Sequence, residues 1–159
     1  MQDKEYIAVL IQSLEKKEEL LDKIIEKNKE QKALFMDEAS DPDRLEENMQ
    51  EKSGFVDQLN ELDEGFQQIY DRVEAALKKD KEAYKEEILK MQKLITGITE
   101  KSTTIQAQEQ RNRELAVKRF SAVKMGIRKA RASTKAASQY YKSMAKINVV
   151  ESQFMDKKN

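Results

Sequence analysis

Pro42 is the only proline in a chain of 159 residues, and on both sides of it the sequence reads as almost unbroken helix. A proline inside a helix loses one backbone hydrogen bond and collides with the preceding turn, so Pro42 sets a boundary that any fold of this chain must respect. Its neighbours suit that boundary. Asp41 is a good N-cap, Pro42 fits the first helical position, and the Asp43 carboxylate favours the positive end of the helix dipole. The stretch Asp37-Glu38-Ala39-Ser40-Asp41-Pro42-Asp43 therefore ends one helix and starts the next within a short loop, which predicts antiparallel neighbours.

Ahead of that loop, apolar residues recur as Ile7, Leu10, Ile11, Leu14, Leu20, Leu21, Ile24, Ile25 and Phe35. Ile7, Leu14, Leu21, Asn28 and Phe35 share one heptad position, and Leu10 and Ile24 share a second that Lys17 and Gln31 interrupt. A lone helix of this kind is marginal in water, so the strip has to pack on something. After the loop, Leu45, Met49, Val56, Leu59, Leu62, Phe66, Ile69, Tyr70, Val73 and Leu77 predict a second helix over residues 42–78. Gly54 and Gly65 lie inside it at a cost of about 1 kcal/mol each relative to Ala, yet the periodicity runs through both.

Near Asp80 no glycine or proline marks a turn, and Tyr84, Ile88, Met91, Ile95, Ile98 and Ile105 continue the strip in nearly the same register. An uninterrupted helix would leave its second half without a partner, so a turn is expected at Asp80, with residues 82–99 folding back along the other two helices. Ser102-Thr103-Thr104 is poor helix sequence, and from there the third helix is expected to overhang. The fold class is all-α: an antiparallel long-helix bundle or coiled coil of three helices, the third overhanging, with a C-terminal tail partly helical or flexible. The expected organisation is a bundle over residues 1–110, a basic amphipathic helical extension over 111–146 and a flexible tail over 147–159.

Composition agrees and excludes much. Ala, Glu, Leu, Lys and Arg make up close to half the chain, as in long helices. Neither Cys nor His occurs, which removes disulfides, zinc sites, thiol nucleophiles and imidazole bases. There is no Gly-rich phosphate loop and no nucleophile elbow. Carboxylate pairs such as Glu46/Glu47 and Glu86/Glu87 read as solvated. The expectation is a protein that is not an enzyme and takes no cofactor, metal or small-molecule substrate. No apolar run is long enough to insert into a membrane, and Met1-Gln2-Asp3-Lys4-Glu5 lacks a signal-peptide pattern, so a cytoplasmic location is expected.

The net charge of zero hides a split. Residues 1–100 hold 16 basic and 26 acidic side chains, and residues 101–159 hold 14 and 4, giving nets of −10 and +10. Residues 111–146 carry eleven of those basic side chains against one acid, Glu114. The same stretch has an apolar stripe at helical spacing: Ala116, Phe120, Val123, Ile127 and Ala130. A helix with one apolar face and a basic back is suited to a partner surface, and these five residues are the candidate partner-binding face. The residues alone leave alternatives: a coiled-coil scaffold, or nucleic-acid binding through the basic stretch. Tyr140-Tyr141, an aromatic pair in small and polar surroundings, reads either as an anchor or as a pair folded back and buried.

Several segments together resemble one family. Lys52 followed by Phe55-Val56-Asp57-Gln58-Leu59-Asn60-Glu61-Leu62-Asp63 is similar to the mid-chain stretch of FlgN-type flagellar export chaperones. The helix containing Ile7 and Ile25 is similar to the family's leucine-rich opening helix, and Glu109-Gln110-Arg111-Asn112-Arg113-Glu114-Leu115 to the Asn-containing part of its third. The ending, Ala136-Ala137-Ser138-Gln139-Tyr140-Tyr141-Lys142 and Ser152-Gln153-Phe154-Met155-Asp156-Lys157-Lys158, resembles a clostridial-like version of the tail. The resemblance implies a cytoplasmic type III secretion chaperone. Its partners would be the C-terminal helices of hook–filament junction proteins (FlgK/FlgL-like) and the flagellar export gate. It also implies client binding in the C-terminal part, here Ala116, Phe120, Val123 and Ile127, and gate docking through Tyr140 or Tyr141. The strongly basic character of this chain there departs from the common pattern.

Overall fold

The structure, a computed structural model, describes residues 2–123 together with Lys135 and Ser138. Three helices follow in order: α1 (Gln2–Met36), α2 (Pro42–Lys79) and α3 (Lys85–Val123). Their 35, 38 and 39 residues make rods of similar length, each a little over ~50 Å at the helical rise. The Pro42 boundary forms as its residues predict. Asp41 is extended (φ −73°, ψ 125°), and its side chain accepts from the Asp43 N–H at 2.9 Å. The Ser40 hydroxyl donates to the Leu34 carbonyl at 2.7 Å, satisfying one of the orphan acceptors at the end of α1.

The expected turn at Asp80 is present. The Asp80 N–H donates to the Ala76 carbonyl at 3.1 Å, residues 81–84 form the turn, and Lys85 opens α3. Asp80 itself has φ −131°, which any residue adopts, so the chain turns here without glycine.

α1 is the middle helix, with α2 and α3 packed along it. Pairs across the α1–α2 seam, Tyr6 with Arg72, Lys17 with Asp63 and Lys27 with Asn48, descend one helix while climbing the other. Pairs across the α1–α3 seam, Glu15 with Lys90, Asp22 with Lys101, Ile25 with Gln108 and Phe35 with Phe120, rise together. The bundle therefore runs down, up and down again, with α1 and α3 parallel. The main core lies between the three: Ile7, Leu10, Leu21 and Ile24 of α1, Val56, Leu59, Tyr70 and Val73 of α2, and Met91, Ile95, Ile98 and Ile105 of α3.

Where the sequence leads to an overhang after Lys101, α3 remains packed as far as Phe120, which meets Phe35 at the end of α1. The Ser-Thr-Thr stretch does not break it. Ser102 is buried, and Thr99, Thr103 and Thr104 donate their hydroxyls to the carbonyls four residues earlier at 2.8, 3.0 and 3.2 Å. The tail over residues 147–159, and residues 124–146 apart from Lys135 and Ser138, lie outside the described residues. Among the described residues no helix is long and apolar enough to cross a membrane.

Candidate functional site

The positions that interrupt the apolar strip turn out to be filled by groups that pair with one another. The Lys17 ammonium meets Asp63 at 2.7 Å, with both side chains almost wholly buried. Farther along, Lys52 is 2% exposed and its Nζ donates to Asn28 Oδ1 at 2.8 Å, Gln31 Oε1 at 3.2 Å and Glu109 Oε1 at 2.8 Å. Three acceptors match the three protons of an ammonium group. Asn112 Nδ2 donates to the Asn28 carbonyl at 3.0 Å and to Gln31 Oε1 at 3.1 Å, and Asn28 Nδ2 donates to Gln108 Oε1 at 3.2 Å. Burial pushes the Lys52 ammonium below its ordinary range, while the Glu109 carboxylate opposes that shift. The result is a polar layer that ties all three helices together at one level.

Beyond this layer the bundle ends in a second, smaller apolar cluster. Leu34 and Phe35 of α1 and Leu45 of α2 are buried there, with Met49, Leu115, Ala116 and Phe120 packed against them. The Phe35 and Phe120 rings meet edge to face, centroids 6.5 Å apart. Arg119 closes the end. Its guanidinium donates to the carbonyls of Leu34, Asp37 and Ser40 and to the Ser40 hydroxyl, the last at 2.7 Å. The Leu34 carbonyl lies in the last turn of α1 and those of Asp37 and Ser40 in the loop after it, and a cation at a helix C-terminus also meets the negative end of its dipole. Around this end Arg111, Arg113 and Lys118 are exposed, and Val117 lies 60% exposed on the outer face of α3.

Of the five candidate partner-binding residues, Ala116 and Phe120 are half-buried in this cluster. Val123 is the last residue of α3. Ile127, Ala130, Tyr140 and Tyr141 lie outside the described residues. Sequence reasoning missed Arg119 as a clasp and the whole polar layer. The available signal was the set of polar residues at seam positions: Lys17 and Gln31 interrupt one heptad position and Asn28 occupies the other, and seam spacing alone places all three inside. Among the described residues no group of three or more acidic side chains is arranged to hold a metal ion. The arrangement at this end is an apolar cluster with a basic rim.

A family model described as FlgN protein matches residues 1–148 of the chain. No curated protein and no solved structure matches it.

Proposed function

Because the chain belongs to the FlgN family, a family of flagellar export chaperones, we propose that its clients are the C-terminal helices of hook–filament junction proteins (FlgK/FlgL-like), which it delivers to the export gate. In this reading the chaperone works in the cytoplasm and is not an enzyme. The client-binding strip is Ala116, Phe120, Val123, Ile127 and Ala130, and Tyr140 and Tyr141 are the residues for gate docking. One observation supports the strip above all. Phe120 sits level with the end of α1 at Met36 and the start of α2 at Pro42, and the same apolar spacing continues in sequence past that level. A helix carrying that spacing onward would extend past the hairpin that covers the earlier turns of α3. An amphipathic client helix supplies the missing apolar face.

The test is a pull-down of purified full-length protein with the C-terminal helical segment of a FlgK- or FlgL-like protein. Ile127→Asp is the informative variant, because Phe120→Asp would also break the Phe35 contact and disturb the bundle end. Ile127→Asp should weaken client capture by about tenfold or more, the scale of one lost anchor. Unchanged capture overturns the strip. Retention of nucleic acid instead, falling steeply with salt, would favour the basic stretch as a phosphate-binding surface.

A further inference from the structure

We infer that the groove formed by Leu34, Phe35, Leu45 and Met49 at the end of the α1–α2 hairpin is itself a client-helix site, which the end of α3 occupies until a client displaces it. This rests on the chaperone reading and adds a second surface to it.

Three observations carry the inference. The groove is apolar on both walls, and its present occupant shows the shape that fits: a helix parallel to α1 presenting Leu115, Ala116 and Phe120. The occupant is held differently from the rest of α3. From Met91 to Ile105 α3 is fixed by an apolar seam broken only by the buried Ser102, whereas from Gln108 to Asn112 its contacts with α1 and α2 are hydrogen bonds and one buried ion pair. Polar contacts of this kind contribute little net stability, since water satisfies the same groups once they are released. The layer also separates the two apolar clusters, so the end can open without opening the main core.

The last hold is the Arg119 clasp. Its acceptors, the Leu34, Asp37 and Ser40 carbonyls and the Ser40 hydroxyl, lie at the surface or only part-buried, within reach of water. Release of α3 from the polar layer onward would bare Leu34, Phe35, Leu45 and Met49 and, on the strap itself, Ala116 and Phe120. A client helix with a large apolar residue and a small one a turn apart, like Phe120 and Ala116, is the occupant that fits. The freed strap is then available to the client's other side.

The chain contains no cysteine, so an introduced pair reacts alone. Ser40→Cys with Arg119→Cys, joined by a short bifunctional thiol reagent, ties the strap down in the full-length protein. The expected result is that the joined protein captures the junction-protein helix at least about tenfold less well than the same variant left unjoined. Hydrogen exchange should agree: client binding to the wild-type chain raises exchange in residues 108–120 relative to the main core. If the joined protein captures the client as well as the unjoined one, the groove is not a client site, while the strip containing Ile127 can still be one. If the wild-type chain captures no client at all, the chaperone reading falls and this inference falls with it.

Discussion

Lys52 decides what the buried polar layer is worth. Removing a charge from water costs several kcal/mol, and only close partners recover it. Lys52 has three within 3.2 Å: Asn28, Gln31 and Glu109. Lys52→Ala strands the buried Glu109 and should cost about 3–5 kcal/mol in urea unfolding. Lys52→Met combined with Glu109→Leu should recover more than half of that loss, because no lone charge remains buried. Simple addition of two large single losses would show that the pair is not coupled. Tyr70 makes a second prediction at this scale. Burial, then the nearby Glu74 carboxylate, raises its phenol above the ordinary value of 10.0. The folded chain therefore keeps a proton that the unfolded chain gives up. The corresponding stability is complete below pH 10.0 and is lost as pH rises through the raised folded value. Tyr70→Phe should lose less stability than the parent above that pH. Lys52, shifted the opposite way, is common to both proteins and drops out of the comparison.

At the scale of the helices, the glycines separate two kinds of site. A Cβ added at Gly54 or Gly65 meets nothing within 4 Å, so Gly54→Ala and Gly65→Ala should each stabilise by about 0.5–1 kcal/mol, read as a higher urea midpoint. At Gly97 the Cβ falls 2.7 Å from a carboxylate oxygen of Glu18, whose partner is Lys101 at 3.0 Å. Gly97→Ala should gain less than either, and an equal gain would show that Glu18 moves aside at no cost. Much at this scale was legible in sequence. Asp41 and Pro42 marked the α2 start through local chemistry, and the steps of three and four marked the seams through periodicity. The turn at Asp80 came from an argument about length. What stayed hidden involves groups far apart in the chain. Asn28 and Asn112 are 84 residues apart, and Lys52 and Glu109 are 57. Periodicity reports that a position faces inward but not which polar group waits across the seam. The same blindness affects the resemblance. Lys52, Asp63, Glu109 and Asn112, all within the segments that carried it, are buried and tie the helices to one another. The strip of the candidate site was visible as spacing, whereas the Arg119 clasp was not, because its acceptors are loop carbonyls.

For the molecule as a whole, these contacts divide α3 differently from a boundary at residue 110. Shortening the chain after Gln110 removes Asn112, Leu115, Ala116, Arg119 and Phe120 together. That uncovers Leu34, Phe35 and Leu45, and it removes one donor from Gln31 and the Arg119 donors from the end of α1. The loss should be at least ~2 kcal/mol, since it combines a truncated aromatic contact with exposed acceptors. Shortening after Val123 leaves every one of those contacts in place and should change stability by less than ~1 kcal/mol. Urea unfolding of the two shortened chains beside the full-length protein measures both. The comparison also determines how a truncation bears on client binding. Capture lost on cutting after Gln110 could reflect a damaged bundle end, whereas capture lost on cutting after Val123 assigns the client contact to residues 124–159. Equal stability of all three chains would mean that the end cluster holds α3 with no net gain. The groove beneath it would then stand open to a client without any displacement.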